Sequence, residues 1–210
     1  MPNIDFVQVF VVFLVLVGSL TIHEAAHAWS ADRLGDATAR LLGRVSLNPA
    51  VHVDPIGTIL FPLIALVTNL PVLGWAKPVP VNISRLRHQA RDYVFVAAAG
   101  PTANLALACV AALVLRVLPV SPLTLGEPNV SAPLASLLTW AVQLNVWLAV
   151  FNMIPIPPLD GGNVLGGLLP ARLSAYDAAY LWLAAELKAP LATFDAKLGK
   201  AAQRHLGQLE

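Results

Sequence analysis

Two histidines and a glutamate lie close together in an apolar segment near the start of the 210-residue chain. His23, Glu24 and His27 form the pattern H-E-x-x-H. On a helix this spacing places both imidazoles on one face, about 6 Å apart along the axis, so that both can bind one tetrahedral zinc ion. The glutamate between them is suited to act as a general base toward a zinc-bound water. The pattern predicts hydrolytic zinc chemistry; a chance motif or a polar packing contact is the alternative.

A third ligand is needed, because a catalytic zinc usually takes three protein ligands and leaves one position open for water. Asp160 is a candidate, since it follows a proline-rich break at 152–159 and precedes two glycines that let the backbone approach closely. Without the histidines, a turn-forming role would be the better interpretation of this aspartate. His52 and Asp54 are a rival pair of ligands, for which a loop-closing or gating role is favoured over metal ligation.

The composition predicts that these residues lie in a membrane protein. The chain is 57% hydrophobic and 12% charged, with a mean hydropathy of +0.70, whereas a soluble domain carries roughly 25% charged residues. Ionisable residues in a spanning segment are costly and usually functional, which strengthens the zinc interpretation. A net charge of +1 without a basic run argues against a nucleic-acid partner. A single cysteine, Cys109, excludes an intramolecular disulfide and a thiolate zinc cluster.

Four apolar stretches predict the elements that position the site. They are residues 6–31, 56–73, 93–118 and 134–154. The first, third and fourth hold the ~20 residues that a spanning helix needs. The first lacks the positive start of a signal peptide, so we expect a retained helix. The second is interrupted by prolines and runs into an extended or hairpin-like segment ending near Asn82, so it is either a transmembrane helix or a re-entrant segment.

The basic residues favour the re-entrant path. They follow the first stretch, precede the third and follow the fourth. They are Arg33, Arg40, Arg44, Lys77, Arg85, Arg87, Arg91, Arg172, Lys188, Lys197, Lys200 and Arg204. If 56–73 returns to the side it entered from, all three groups face the cytoplasm and the N-terminus lies outside, as the positive-inside rule expects. That topology also brings Asp160 to the same end of the helix bundle as the two histidines.

The predicted fold is therefore an all-α multi-pass membrane protein. We expect a three-helix catalytic core, a re-entrant or hairpin segment, and an interfacial C-terminal helix. The core would comprise residues 1–170, and residues 171–210 would form an interfacial or cytoplasmic tail.

Four ordered motifs of the chain resemble those of the site-2 protease family of intramembrane zinc metalloproteases, peptidase family M50. They are the H-E-x-x-H at His23–His27, Gly100-Pro101 with Asn104, Asn152 with the prolines that follow it, and Leu159-Asp160-Gly161. The resemblance covers roughly residues 10–165 and is to small bacterial-type members without PDZ or CBS domains. Two departures leave the helix count and any C-terminal regulation open: no extra helix leads into the motif, and a polar-interrupted tail follows the last one.

The resemblance implies that His23, His27 and Asp160 hold one zinc ion per chain and that Glu24 takes a proton from the zinc-bound water. The implied enzyme is a zinc metalloendopeptidase that cuts peptide bonds in or near transmembrane segments, in regulated intramembrane proteolysis. Its partners would be transmembrane protein or peptide substrates and the lipid bilayer of a bacterial cell, with the site near the cytoplasmic face. Asn152 would orient the substrate or the transition state, or merely cap a helix end.

Several residues have structural interpretations instead. Gly100 and Asn104 are expected to serve close helix packing, and the five tryptophans to act as interfacial anchors or packing groups. The extended segment before Asn82 resembles a membrane-associated hairpin that could pair with an unwound substrate strand. The rivals to an enzyme are a membrane scaffold with a structural metal, which Glu24 disfavours, and a metal transporter, which would need a polar path through several helices. The oligomeric state stays open.

Overall fold

The computed structural model describes residues 6–68, 74–118, 131–168, 175–193 and 195–205. The residues it describes form helices, turns and extended chain, without a β-strand. The α-helices are α1 (Phe6–Arg33), α2 (Thr38–Leu41), α3 (Phe61–Thr68), α4 (Gln89–Val117), α5 (Ser131–Asn152), α6 (Asp160–Leu168), α7 (Ala175–Glu186) and α8 (Ala196–His205). A π-helical turn at Pro55–Leu60 leads into α3, and short 3-10 turns lie at Pro49–Val51 and Ile83–Arg85.

Within the described ranges, three helices are long and apolar enough to cross a membrane: α1, α4 and residues Pro133–Asn152 of α5. Their outer faces carry large apolar side chains, such as Phe10, Leu113 and Trp147, which are 64% to 71% exposed to the surroundings of the chain. In water such a surface would be costly, whereas in lipid it is matched by the solvent. The prediction of an all-α fold with spanning helices in the first, third and fourth apolar stretches is confirmed.

The spanning helices pack on one another through small and aliphatic side chains. One buried cluster joins α1 and α5 and includes Val12, Val15, Leu16, Leu20, Ala76 and Leu144. On α4 the buried positions include Ala97, Gly100 and Ala108, whose small size lets the neighbouring helices approach closely. Because helices come this near, the few polar groups among them are forced into contact with one another.

The chain between α1 and α4 begins and ends at the same end of the bundle. The backbone N–H of Arg87, just before α4, donates to the carbonyl of Leu34, just after α1, over 3.1 Å. A single crossing of the bilayer between these two residues would have separated them by the membrane thickness of about 30 Å. The described residues before and after the second apolar stretch therefore lie at one end of the bundle. Residues 69–73 lie outside the described part of the chain.

Residues 74–82 form an extended segment, here called the strap, which ends at the carboxylate of Asp36. This buried carboxylate accepts hydrogen bonds from the backbone N–H and the hydroxyl of Thr38 and from the backbone N–H of Asn82. Burial alone would raise the pKa of Asp36, but these hydrogen bonds and the nearby Arg85 guanidinium outweigh it and hold the pKa below its usual range. The ionised carboxylate thus ties the end of α1 to the strap.

The described part of the C-terminal tail contains two helices instead of the single one expected. α7 and α8 pack together through a small apolar cluster. It comprises Leu181, Leu198, Ala201 and Ala202, with Leu191 against it. The opposite face of α8 exposes Lys200 and Arg204, so α8 is the amphipathic helix of the tail. Among the described residues of the tail, no helix is long and apolar enough to be a fifth span.

Candidate metal centre

The two histidines of the H-E-x-x-H pattern lie on one buried face of α1, as their spacing predicts. His23 is 4% exposed and His27 is 8% exposed. Their Nε2 atoms are 3.1 Å apart, and the rings meet edge to face. Both imidazoles therefore aim one nitrogen at the same small volume between α1, α4 and α6.

Asp160 reaches the same volume from the first residue of α6. Its Oδ2 atom lies 3.1 Å from Nε2 of His23 and 3.3 Å from Nε2 of His27. A tight turn brings it there, because a Cβ on Gly161 would overlap the backbone carbonyls of residues 153–154. The expectation that the glycines allow a close backbone approach is thus met, and the carboxylate is turned back into the bundle.

A backbone carbonyl fixes the tautomer of His27. Nδ1 of His27 lies 2.7 Å from the carbonyl oxygen of Val96, which can only accept a hydrogen bond. The proton of the neutral ring is therefore on Nδ1, and Nε2 presents its lone pair to the centre. A ring held in this way is how proteins usually orient a metal-binding histidine.

The spacing of the three acceptor atoms suits zinc. A tetrahedral zinc with bonds of 2.0–2.1 Å holds its ligand atoms about 3.3 Å apart, and the separations here are 3.1, 3.1 and 3.3 Å. Oδ2 of Asp160 is also buried without a hydrogen-bond partner in the described structure, which a cation would relieve. Within the described ranges, His23, His27 and Asp160 are the one group of three such side chains close enough to share a metal ion.

The backbone of α4 forms a wall of this centre at Gly100. A Cβ at this position would overlap Nε2 of His27 and lie 2.6 Å from Nε2 of His23. Gly100 was expected to serve close helix packing, and the structure shows that it also lies against the two imidazoles. The missing side chain is what leaves room for the two imidazoles and anything bound between them.

Glu24 lies beside the ligand group and is held by the strap. Its Oε2 atom accepts a hydrogen bond of 3.2 Å from the backbone N–H of Val79, and its side chain is half-buried. The strap is itself fixed to the π-helical turn at Pro55–Leu60, since Trp75 donates to the carbonyl of Gly57 over 3.1 Å. The carboxylate is thus oriented by backbone and is not a member of the ligand group.

The rival ligands have structural contacts. Nε2 of His52 lies 2.8 Å from the carbonyl of Ser46, and the His52 carbonyl accepts a hydrogen bond from the N–H of Lys77 in the strap. Oδ1 of Asp54 accepts from the N–H groups of Ile56 and Gly57 and so caps the π-helical turn. These contacts agree with the favoured loop-closing role and bring neither residue into the ligand group.

Asn152 bonds within its own helix, where its amide donates to the carbonyl of Leu148 over 2.9 Å. A role in orienting the substrate stays a prediction.

Sequence reasoning missed Ser19 and Asn145, which are buried and lie close behind His23. The available signal was the polar asparagine near the middle of the fourth apolar stretch, since buried polar groups in spanning helices are costly to retain.

Comparisons with known proteins show which proteins the chain is similar to. The family model for peptidase family M50 matches residues 118–183. A Bacillus subtilis protein named "Putative zinc metalloprotease YwhC" is 38% identical over 162 residues, covering 77% of this chain and 70% of that protein. Proteins named "Putative zinc metalloprotease Rip2" are 32% identical over 170 residues in Mycolicibacterium smegmatis and 30% identical over 156 residues in Mycobacterium tuberculosis.

The Rip2 matches cover 77% and 74% of this chain but only 59% and 55% of those relatives. No solved structure matches the chain. The YwhC match nevertheless spans most of both proteins, at 38% identity. The chain belongs to peptidase family M50.

Proposed function

We propose that the chain is a zinc-dependent intramembrane endopeptidase, which hydrolyses peptide bonds in or near transmembrane segments of membrane proteins. His23, His27 and Asp160 hold one zinc ion per chain. The observation that carries the proposal is the convergence of three acceptor atoms, at ligand spacing, between helices apolar enough to span a bilayer. Bound zinc would supply a Lewis acid and an activated water.

The number of ligands supports catalysis over a structural metal. Structural zinc sites are closed by four protein ligands, whereas catalytic sites use three and leave a position open. The group in the described residues has three members. A purely structural site would also have no need of the carboxylate of Glu24 beside it.

Glu24 is the general base in this proposal. It takes a proton from the attacking water and passes it to the leaving amine of the cut peptide bond. The N–H of Val79 holds one of its carboxylate oxygens. This contact limits rotation of the carboxylate, so the base needs less reorganisation when the substrate is bound.

Cleavage of single-span membrane peptides tests the function. We expect the purified chain to cut members of a peptide panel, to stop when a chelator removes zinc, and to resume when zinc is returned. His23→Ala should lose both zinc and cleavage, because the remaining two ligands cannot hold the ion tightly. His88→Ala, at an exposed histidine outside the ligand group, serves as the matched control and should keep both. Cleavage that continues in zinc-free protein would refute the proposal.

The proposed topology puts the metal centre near the cytoplasmic face of a bacterial cell membrane. In a Cys109→Ser background, Leu41→Cys and Gln89→Cys place single thiols at exposed positions. The first precedes the proposed re-entrant segment in the sequence and the second follows it. A membrane-impermeant thiol reagent should label neither from outside intact cells and both in inverted vesicles. Phe6→Cys, at the start of α1, should show the reverse pattern. Labelling of Leu41→Cys and Gln89→Cys from opposite faces would mean that the segment crosses the membrane.

A further inference from the structure

A buried chain of hydrogen bonds joins the three spanning helices behind the metal centre. Nδ1 of His23 lies 2.5 Å from Oδ1 of Asn104, and Nδ2 of Asn104 lies 2.6 Å from Oδ1 of Asn145. Nδ2 of Asn145 then lies 2.8 Å from both the hydroxyl of Ser19 and the carbonyl of Ala141. The two asparagines are 0% and 1% exposed, so water cannot replace these contacts.

The donor-to-acceptor direction of these hydrogen bonds is set at the end farthest from His23, by the carbonyl of Ala141. An asparagine amide can be turned over without changing its shape, which exchanges its donor and its acceptor. The carbonyl oxygen of Ala141 only accepts hydrogen bonds, so the group of Asn145 next to it must be the NH2. The oxygen of Asn145 is consequently the atom that faces Asn104.

The same logic passes through Asn104 to the histidine. Because Asn104 meets an oxygen on Asn145, it must present its NH2 there and its own oxygen to His23. An oxygen facing Nδ1 requires the proton of the neutral ring to be on Nδ1. Nε2 of His23 is then left with the lone pair that a metal needs.

We infer that Asn145 is a positioning residue that sets the tautomer of His23 through Asn104, and so controls how tightly zinc is bound. The inference rests on the proposed role of His23 as a zinc ligand. His27 needs no such device, because the carbonyl of Val96 fixes its ring directly. The centre therefore has one histidine fixed by backbone and one fixed by a side-chain relay that crosses from α5 to α1.

Asn145→Leu tests the relay in the purified full-length chain. The leucine cannot accept a hydrogen bond, so Asn104 becomes free to turn its NH2 toward His23 and favour the wrong tautomer. Loss of a residue that supports a metal-binding histidine costs roughly 10–100-fold in metal affinity, and we expect a loss of zinc affinity in that range. Competition with a chelator of known affinity measures it, and the visible absorption of the cobalt-loaded protein reports the ligand geometry. Ser19→Ala is the matched control, because it leaves the contact with Ala141 and hence the direction of the relay intact.

A second substitution separates the tautomer from simple helix packing. Asn104→Asp places a carboxylate, which only accepts, against Nδ1 of His23, so the ring is fixed whatever stands at position 145. In this background Asn145→Leu should no longer weaken zinc binding. If the double variant binds zinc as weakly as Asn145→Leu alone, the relay serves packing and the inference is overturned.

Two further outcomes keep the inference distinct from the proposed function. Unchanged zinc affinity in Asn145→Leu, with zinc lost from His23→Ala, would overturn the inference and leave the metal centre intact. Normal zinc binding by His23→Ala would overturn both. Asn145→Asp, as the neutral acid that burial favours, donates its O–H to the carbonyl of Ala141 and keeps an oxygen facing Asn104. It should retain zinc even if Asn145→Leu does not fold, and loss of zinc from it would also refute the relay. Thermal unfolding of the zinc-free variants reports folding separately.

Discussion

Glu24→Gln is expected to slow peptide cleavage by roughly 10²–10⁴-fold while zinc remains bound. The amide has nearly the shape of the carboxylate, so the contact with the N–H of Val79 can persist through its oxygen. It cannot take a proton from water, which is the step assigned to Glu24. The rate of cleavage of a single-span peptide and the zinc content of the same sample, measured side by side, check both halves of this expectation.

Glu186→Gln is the matched control for this change. It makes the same carboxylate-to-amide substitution at an exposed residue at the end of α7 and should leave cleavage unaltered. Undiminished cleavage by Glu24→Gln would rule out the general-base role. Loss of zinc would show instead that Glu24 helps to form the metal centre. An outcome with zinc retained and cleavage lost would also exclude a scaffold that uses the metal only for structure.

Gly100→Ala is expected to abolish zinc binding although it alters no ligand. The added Cβ would occupy the space of the facing imidazole nitrogens of His23 and His27. The rings are buried against α4 and α6. If they move aside, their Nε2 atoms no longer point at one metal position. Misplacement of a reacting group by about 1 Å costs on the order of 10²-fold in rate, and we expect at least this loss of cleavage. Zinc content after dialysis and cleavage of the peptide provide the two readouts.

Gly18→Ala provides the comparison for Gly100→Ala. Gly18 lies on α1, one of the three spanning helices, and a Cβ there would meet no atom within 4 Å. Alanine is also the better helix former, so this variant should fold and bind zinc normally. If the two alanine variants bind zinc equally well, zinc binding does not depend on the missing Cβ at Gly100. Cobalt spectra would then show whether the imidazoles had simply shifted together.

The convergence of His23, His27 and Asp160 was predictable because its signals are local. Four-residue spacing on a helix fixes the relation of His23 to His27 wherever α1 packs. Asp160 was predictable from the break and the glycines around it, with the charge pattern indicating which end of the bundle it reaches. The re-entrant path followed from the same charge pattern, and the contact between Leu34 and Arg87 agrees with it.

The surroundings of the ligands could not be predicted in the same way. Gly100 and Asn104 were expected to aid packing, but their contacts with the imidazoles depend on the rotation of α4 about its axis. Asn145 looks like an isolated polar residue until α5 is placed against α4. The extended form of the strap was expected from its sequence, but the partners of its hydrogen bonds, such as Glu24, His52 and Gly57, were not. Such contacts join residues far apart in sequence, and no local preference specifies them.

The two prolines of the strap restrict what its free edge can do. The N–H groups of Trp75, Lys77 and Val79 donate to the body of the protein at alternate positions, as in an extended chain. Pro78 lies between Lys77 and Val79, and Pro80 follows Val79. Neither proline has an N–H to offer on the opposite side of the strap. At these two positions the edge can accept hydrogen bonds but cannot return them, so a neighbouring strand would find only half of a ladder there. An edge of this kind resists self-association into larger sheets, a hazard for exposed extended backbone.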